Sequence, residues 1–309
     1  MTARRVHPKT NEARPRPPHL ERERPRHTAF VLGAGRLGAA LAASLASAGW
    51  SVETWTRSAR RAAIAGTRQH RGALPASVDA DLVLLTVPDR VIPAMAQLLA
   101  DSGRVSAGTV VAHCAGAIGL DALEPLRAAG IDVGSIHPLA AVGKGSSDLA
   151  GHAAALDGSP AALRLLRRVA RDVGLAPLSI APDRRIAYHA AASLAANGLV
   201  SLADLAVEIL GVAGVPKDKA ADALVPLLES AVRGLAQRGL PGALTGPVSR
   251  ADAPVVAAHL DALAGTPAAE AYRLLASRAV EIARAQGADP EGLERIAALL
   301  ARPHRRRKR

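Results

Sequence analysis

The chain carries a single cysteine, Cys114, and its only aromatic rings are two Trp, two Tyr and one Phe. One thiol excludes a disulfide within the chain and a cysteine-based zinc cluster, and no metal is expected. So few rings leave the core to alanine, leucine and valine. None interleaves with the basic residues, so the stacking platform of a single-strand nucleic-acid binder is missing. No stretch of 18 uninterrupted apolar residues occurs, and the alanine-rich segment after Tyr188 contains His189, Asn197, Asp204 and Glu208. That argues against a membrane span. The first residues also lack the apolar run of a signal peptide, and a cytoplasmic soluble protein is expected.

The formal charge of +12 is concentrated at the ends. Residues 1–26 hold eight Lys or Arg against three Glu, and residues 301–309 hold six against none, leaving +1 between them. Both tails, 1–26 and 302–309, read as disordered and solvated. A weak attraction to phosphate is the most they would supply, so no specific nucleic acid is expected.

What is present begins with Thr28 to Gly38, TAFVLGAGRLG, a glycine fingerprint between a short apolar strand and an alanine-rich helix. Gly33 allows the tight turn, Gly35 lets backbone approach a pyrophosphate, and Gly38 lets the helix pack on the sheet. Ala34, Arg36 and Leu37 complete the loop, whose free N–H groups face the phosphates. A second strand, Ser51 to Thr56, follows. Where an NAD site places an acid on the ribose, this chain has Thr56, Arg57 and Ser58, then Arg60 and Arg61. A guanidinium fork and hydroxyls there favour the 2′-phosphate of NADP, about tenfold or more.

Further apolar runs, Asp81 to Pro88, Gly108 to His113 and Val133 to Pro138, alternate with helix-like segments such as Val91 to Leu99. The alternation predicts an α/β fold with a doubly wound parallel Rossmann sheet. Ala153 to Leu156 and Leu178 to Ile180 are edge-strand candidates around a helix capped by Ser159, opened by Pro160 and ended by Gly174. From about Asp183 only helical patterns remain: 186–210, 217–237, 251–263, 268–286 and 291–301. The domains read as 27–182, Rossmann-like, and 183–301, all-helical, with the ligand at the carboxyl ends of the strands, facing the helices.

Those strand ends supply the candidate chemistry. Thr86, Val87, Pro88 and Asp89 close the fourth strand and border the cofactor's ribose, unless Asp89 is a helix N-cap. Cys114 and Gly116 follow His113 as substrate contacts, although Cys114 reads more readily as a small buried apolar residue than as a nucleophile. His137 closes the next strand and faces the cleft. His189, Ser193 and Asn197 lie four apart, one polar stripe on an alanine surface. The stripe suits a substrate-binding row, with His189 or His137 as general acid, or a buried helix–helix network. Ser249 and Asp252 read as a capping box, which leaves Arg250 to bind a carboxylate or phosphate.

In this order VLGAGRLG, DLVLLTVPD, HCAG, SIHPL, YHAAASLAAN and LTGPVSRAD resemble a bacterial family that joins a Rossmann-like NAD(P)-binding domain to a C-terminal helical domain of unknown function. The resemblance covers about residues 28 to 300. It implies membership of the superfamily of 6-phosphogluconate dehydrogenase, ketopantoate reductase, pyrroline-5-carboxylate reductase and prephenate dehydrogenase, and so an oxidoreductase. GSIHPLAAV is similar to the glycine-histidine-proline motif of prephenate dehydrogenases. Ketopantoate reductases carry Lys-x-x-x-Asn on the interdomain helix; with Asn197 matched, Ser193 stands in place of the lysine. Relatives imply a homodimer formed through the helical domain. The expectation is an NADP-dependent reductase of a carbonyl or imine in a small acidic metabolite. The missing lysine keeps open a non-catalytic NADP-binding sensor or scaffold.

Overall fold

The structure, a computed structural model, describes residues 27–57, 62–143 and 148–301. Both basic tails, and Ser58, Arg60 and Arg61 of the expected phosphate site, lie outside the described residues.

The strands are β1 Thr28–Leu32, β2 Ser51–Thr56, β3 Thr67–Arg71, β4 Leu82–Leu85, β5 Val110–His113, β6 Asp132–Pro138, β7 Ala153–Gly158 and β8 Ala176–Ser179. They form one sheet in the order β3-β2-β1-β4-β5-β6-β7-β8. Strand period two sends alternate side chains to opposite faces. Ala29, Val31, Leu82 and Leu84 therefore join one core with α1 (Arg36–Ser47) and α4 (Pro160–Asp172). Phe30, Leu32, Val83 and Leu85 join a second core with α2 (Ile92–Ser102) and α3 (Glu124–Ala128). Helices on both faces make the sheet doubly wound, as the alternating pattern predicts.

Two details depart from the sequence reading. The sheet is not wholly parallel, because β7 runs antiparallel to β6. No helix occurs among the described residues joining them, and without a helical crossover the chain returns beside its own strand in the opposite direction. β3 is the other departure, since its sequence TRQHR has no apolar run to betray a strand. It pairs in register with β2, and Arg68 and His70 both meet Glu53.

Ser159 caps α4 by accepting from the Ala162 N–H, with Pro160 at the first helical position, as expected. The helical segment comprises α5 Arg185–Val212, α6 Lys217–Gly242, α7 Ala253–Ala262, α8 Ala268–Ala285 and α9 Pro290–Ala301. Non-helical backbone at Gly239 and Leu240 interrupts α6 near its expected end. α7 starts two residues later than expected. Its N-cap is Asp252, accepting from Val255 N–H, while Ser249 donates to the Gly246 carbonyl and forms no capping box.

The described chain divides into two compact units, one up to His189 and one from Ala190. The first turn of α5 thus belongs with the sheet, because Arg185 and Tyr188 are hydrogen-bonded to it. In the second unit Val248, Val256, Val280, Leu293 and Ile296 form the main core. The stretch Pro182–Val212 is long and apolar enough to cross a membrane by length and composition, with mean hydropathy 1.5. Its polar residues do not disqualify it on that test, contrary to the sequence expectation. Apolar side chains along α5 and α6 are exposed, among them Leu194 at 76%, Val200 at 70% and Leu227 at 65%.

Candidate active site

At the carboxyl ends of the strands in the first unit lies a cleft of about 760 Å³. Gly33, Ala34, Gly35, Arg36, Leu37, Thr56, Arg57, Val87, Pro88, Asp89 and His137 all line it. Gly38 does not; it is buried beneath the loop.

The three glycines are needed for three different reasons. Gly33 has φ +114°, and a side chain there would meet the Thr86–Val87 backbone at 2.8 Å. At Gly38 a β-carbon would stand 1.9 Å from the Gly33 oxygen. At Gly35 the nearest atom would be 3.9 Å away, so the missing side chain leaves space through which a phosphate can reach the backbone. Gly35 is also the N-cap of α1, with no side-chain cap and no acidic residue in the first turn. The helix therefore presents free N–H groups and an uncompensated positive end. Residues with these properties suit a dinucleotide pyrophosphate.

At the far end of β2, Thr56 is buried and Arg57 exposed on the cleft wall. The one acid on β2, Glu53, is engaged by His70 and Arg68 and does not stand at the strand end. Trp55 also lines the cleft, its indole Nε1–H directed at the carbonyls of Gly72 (3.2 Å) and Ala73 (3.3 Å). Asp89 opens a short 3-10 turn before α2 and caps nothing with its side chain.

His137 brings the cleft to a second group of polar residues. Its Nδ1 lies 2.9 Å from the Tyr188 hydroxyl, and its ring stands edge-on to His189 at 5.8 Å between centroids. Both imidazoles rest on Gly116. A β-carbon on Gly116 would be 2.3 Å from His189 Nδ1 and 2.8 Å from His137 Nε2. Burial, then His189, then Arg185 hold His137 down to about 4, so it is neutral near pH 7.

The loop under these rings is pinned from two sides. The Ala115 N–H donates to His113 Nδ1 at 3.2 Å, so the ring proton sits on Nε2 and points to the Gly119 carbonyl, also at 3.2 Å. His113 is fully buried, and burial reinforced by Arg185 lowers it to about 4. From α5, the buried Arg185 donates to the Ala115 carbonyl at 2.8 Å and faces Asp157 at 3.9 Å.

The structure thus joins His137, His189 and Gly116, as the sequence reading hoped, but alters other assignments. Cys114 is 5% exposed and packed in the core beneath the sheet, where burial pushes its thiol up to about 12. Its role is packing rather than substrate contact. Ser193 and Asn197 belong to the second unit and bond to each other, Asn197 Nδ2 donating to Ser193 Oγ at 3.2 Å. Arg250 is exposed in that unit, ahead of α7. Arg185 and Tyr188 were not identified as site residues. Their only sequence signal was their place in the same helical turn as His189.

A family model described as a Rossmann-like domain matches residues 12–138, and one described as a domain of unknown function, DUF2520, matches residues 152–279. Among solved structures the chain is similar to BF3122 from Bacteroides fragilis, with 22% identity and TM-score 0.66 over 82% of this chain and 98% of that one. Protein TM1727 from Thermotoga maritima shares 20% identity and TM-score 0.65 over 84% and 99%. The Plasmodium falciparum pyrroline carboxylate reductase, solved with NADP bound, shares 11% identity and TM-score 0.57 over 90% and 99%. No curated protein sequence matches. The chain therefore joins a segment that matches a Rossmann-like domain to a segment that matches DUF2520, and it shares its fold with these solved structures.

Proposed function

We propose that this chain is an NADP-dependent oxidoreductase that reduces the carbonyl or imine of a small acidic metabolite. The observation that carries the reading is one cleft lined both by the glycine loop and by His137. The loop N–H groups and α1 would hold the pyrophosphate, and Arg57 the 2′-phosphate. Bound NADPH would supply the hydride to the substrate carbon, leaving the substrate heteroatom to take a proton. His137 and His189 are the imidazoles placed to handle that proton. The buried Arg185 guanidinium, held on the Ala115 carbonyl, places a positive charge beside this group that favours an anionic substrate. The similar pyrroline carboxylate reductase holds NADP on the same fold, which supports the choice of cofactor and of an imine or carbonyl acid.

The test is a fluorescence titration with NADPH and, separately, NADH, followed by a screen of carbonyl and imine acids for oxidation of the bound cofactor. Tight NADPH and weak NADH binding with turnover supports the reading. NADPH binding without turnover across the screen points instead to a sensor or scaffold, and binding of neither removes the reductase reading altogether.

We also infer that the chain is a homodimer held through its helical segment. The exposed large apolar residues gather on α5 and α6, Leu194, Val200, Leu227 and Val232 among them, and exposed apolar surface of this kind marks an association face. Light scattering should give twice the chain mass without detergent; a monomer that partitions into vesicles would replace this inference with a membrane surface.

A further inference from the structure

The His137–His189 contact raises a question of proton placement that the distances answer. His189 Nδ1 is buried and has no hydrogen-bond partner among the described residues, and a buried nitrogen left unpaired is costly. His137 Nε2 converges with it over Gly116, whose missing side chain is what lets the rings meet. At the other ring nitrogen, Nδ1, the Tyr188 hydroxyl is at 2.9 Å, closer than its 3.3 Å approach to the His137 carbonyl.

We propose that Tyr188 is a positioning residue: its hydroxyl donates to His137 Nδ1, fixes the Nε2–H tautomer, and so turns that N–H toward the space over Gly116. His189 Nδ1 faces the same space without bonding to His137. Arg185 lies on the Tyr188 side of the pair, balanced in part by Asp157, and His113 lies behind the loop. Burial, then His189 and Arg185, keep His137 uncharged near neutrality, which is what lets its Nδ1 accept. Gly116 is the floor of the arrangement and has no room for a side chain. The catalytic meaning of the pair rests on the reductase reading above, but its tautomer does not.

The experiment is imidazole nitrogen NMR on the ¹⁵N-histidine-labelled full chain without cofactor at pH 7, with His137 and His189 assigned by His137→Gln and His189→Gln. The expected spectrum shows His137 protonated on Nε2, with Nδ1 in the acceptor range. In Tyr188→Phe, which removes one oxygen, the Nδ1 resonance should shift toward a non-bonded nitrogen and the second tautomer should appear, while the NADP⁺ dissociation constant changes less than twofold. A wild-type His137 protonated on Nδ1 overturns the proposal without reference to any variant. So does an unchanged His137 spectrum in a folded Tyr188→Phe protein. Failure of NADP⁺ to bind, with the expected tautomer present, counts against the reductase reading and leaves the positioning role standing.

Discussion

Thr86 ties the end of β4 to the glycine loop, its hydroxyl donating to the Gly33 carbonyl at 2.6 Å. The same hydroxyl lies 3.2 Å from the Leu32 carbonyl, so one side chain closes the turn between β1 and α1. Replacing Thr86 with Val keeps the shape and leaves a carbonyl unpaired, a loss of about 1–3 kcal/mol. The NADPH dissociation constant should rise about tenfold, read by fluorescence titration. An unchanged constant would mean that the loop is held by its backbone alone.

Arg57 is the described cation on the cleft wall at the end of β2. Arg57→Ala should weaken NADPH by roughly tenfold or more, the value of one charge-assisted contact of about 1.5–3 kcal/mol, and leave NADH within about twofold. Parallel titrations of the two cofactors decide it. Equal losses for both would place the arginine on the shared part of the dinucleotide instead of the 2′-phosphate.

The legible part of this molecule was the part written in local pattern. Gly33, Gly35 and Gly38 sit between a strand and a helix, and their spacing alone implies the tight turn, the open backbone at Gly35 and the close packing seen in the structure. The Ser159–Pro160 start of α4 was equally local. β3 was not legible, because Thr67–Arg71 is a polar edge strand held by its ladder to β2. Nor was the reversal at β7, which goes with a connection whose described residues hold no helix and not with strand composition. The meeting of Gly116, His137 and His189 joins a loop, a strand and a helix far apart in sequence. No spacing rule reports such a contact, although each residue could be suspected singly.

In the second unit, Gly292 on α9 packs against Ala251, whose φ of +56° places it in the left-handed region. A β-carbon on Gly292 would stand 2.7 Å from both the Ala251 oxygen and its methyl carbon. Gly292→Ala gains about 1 kcal/mol of helix propensity, yet overpacking against fixed backbone typically costs about 1–3 kcal/mol. The clash should win. The urea midpoint should fall while NADPH binding is unaffected, because the cleft residues lie in the other unit. A midpoint that rises would show that the Ala251 segment yields easily.

His113 makes stability depend on acid. Its folded value of about 4 lies below the ordinary 6.5, so folding favours the neutral ring. That contribution is complete above about pH 6.5 and is lost as the pH falls toward 4, where the unfolded chain binds a proton that the folded chain resists. The shift corresponds to something on the order of 3 kcal/mol. The physical reason is burial, reinforced by Arg185; a protonated Nδ1 could also no longer accept from the Ala115 N–H. Urea unfolding at pH 7, 6, 5 and 4 should show stability dropping steadily. His113→Gln should be less stable at pH 7 and fall less steeply, retaining the part due to His137, which shifts in the same direction. Equal slopes in the two proteins would remove His113 as the source of the acid sensitivity.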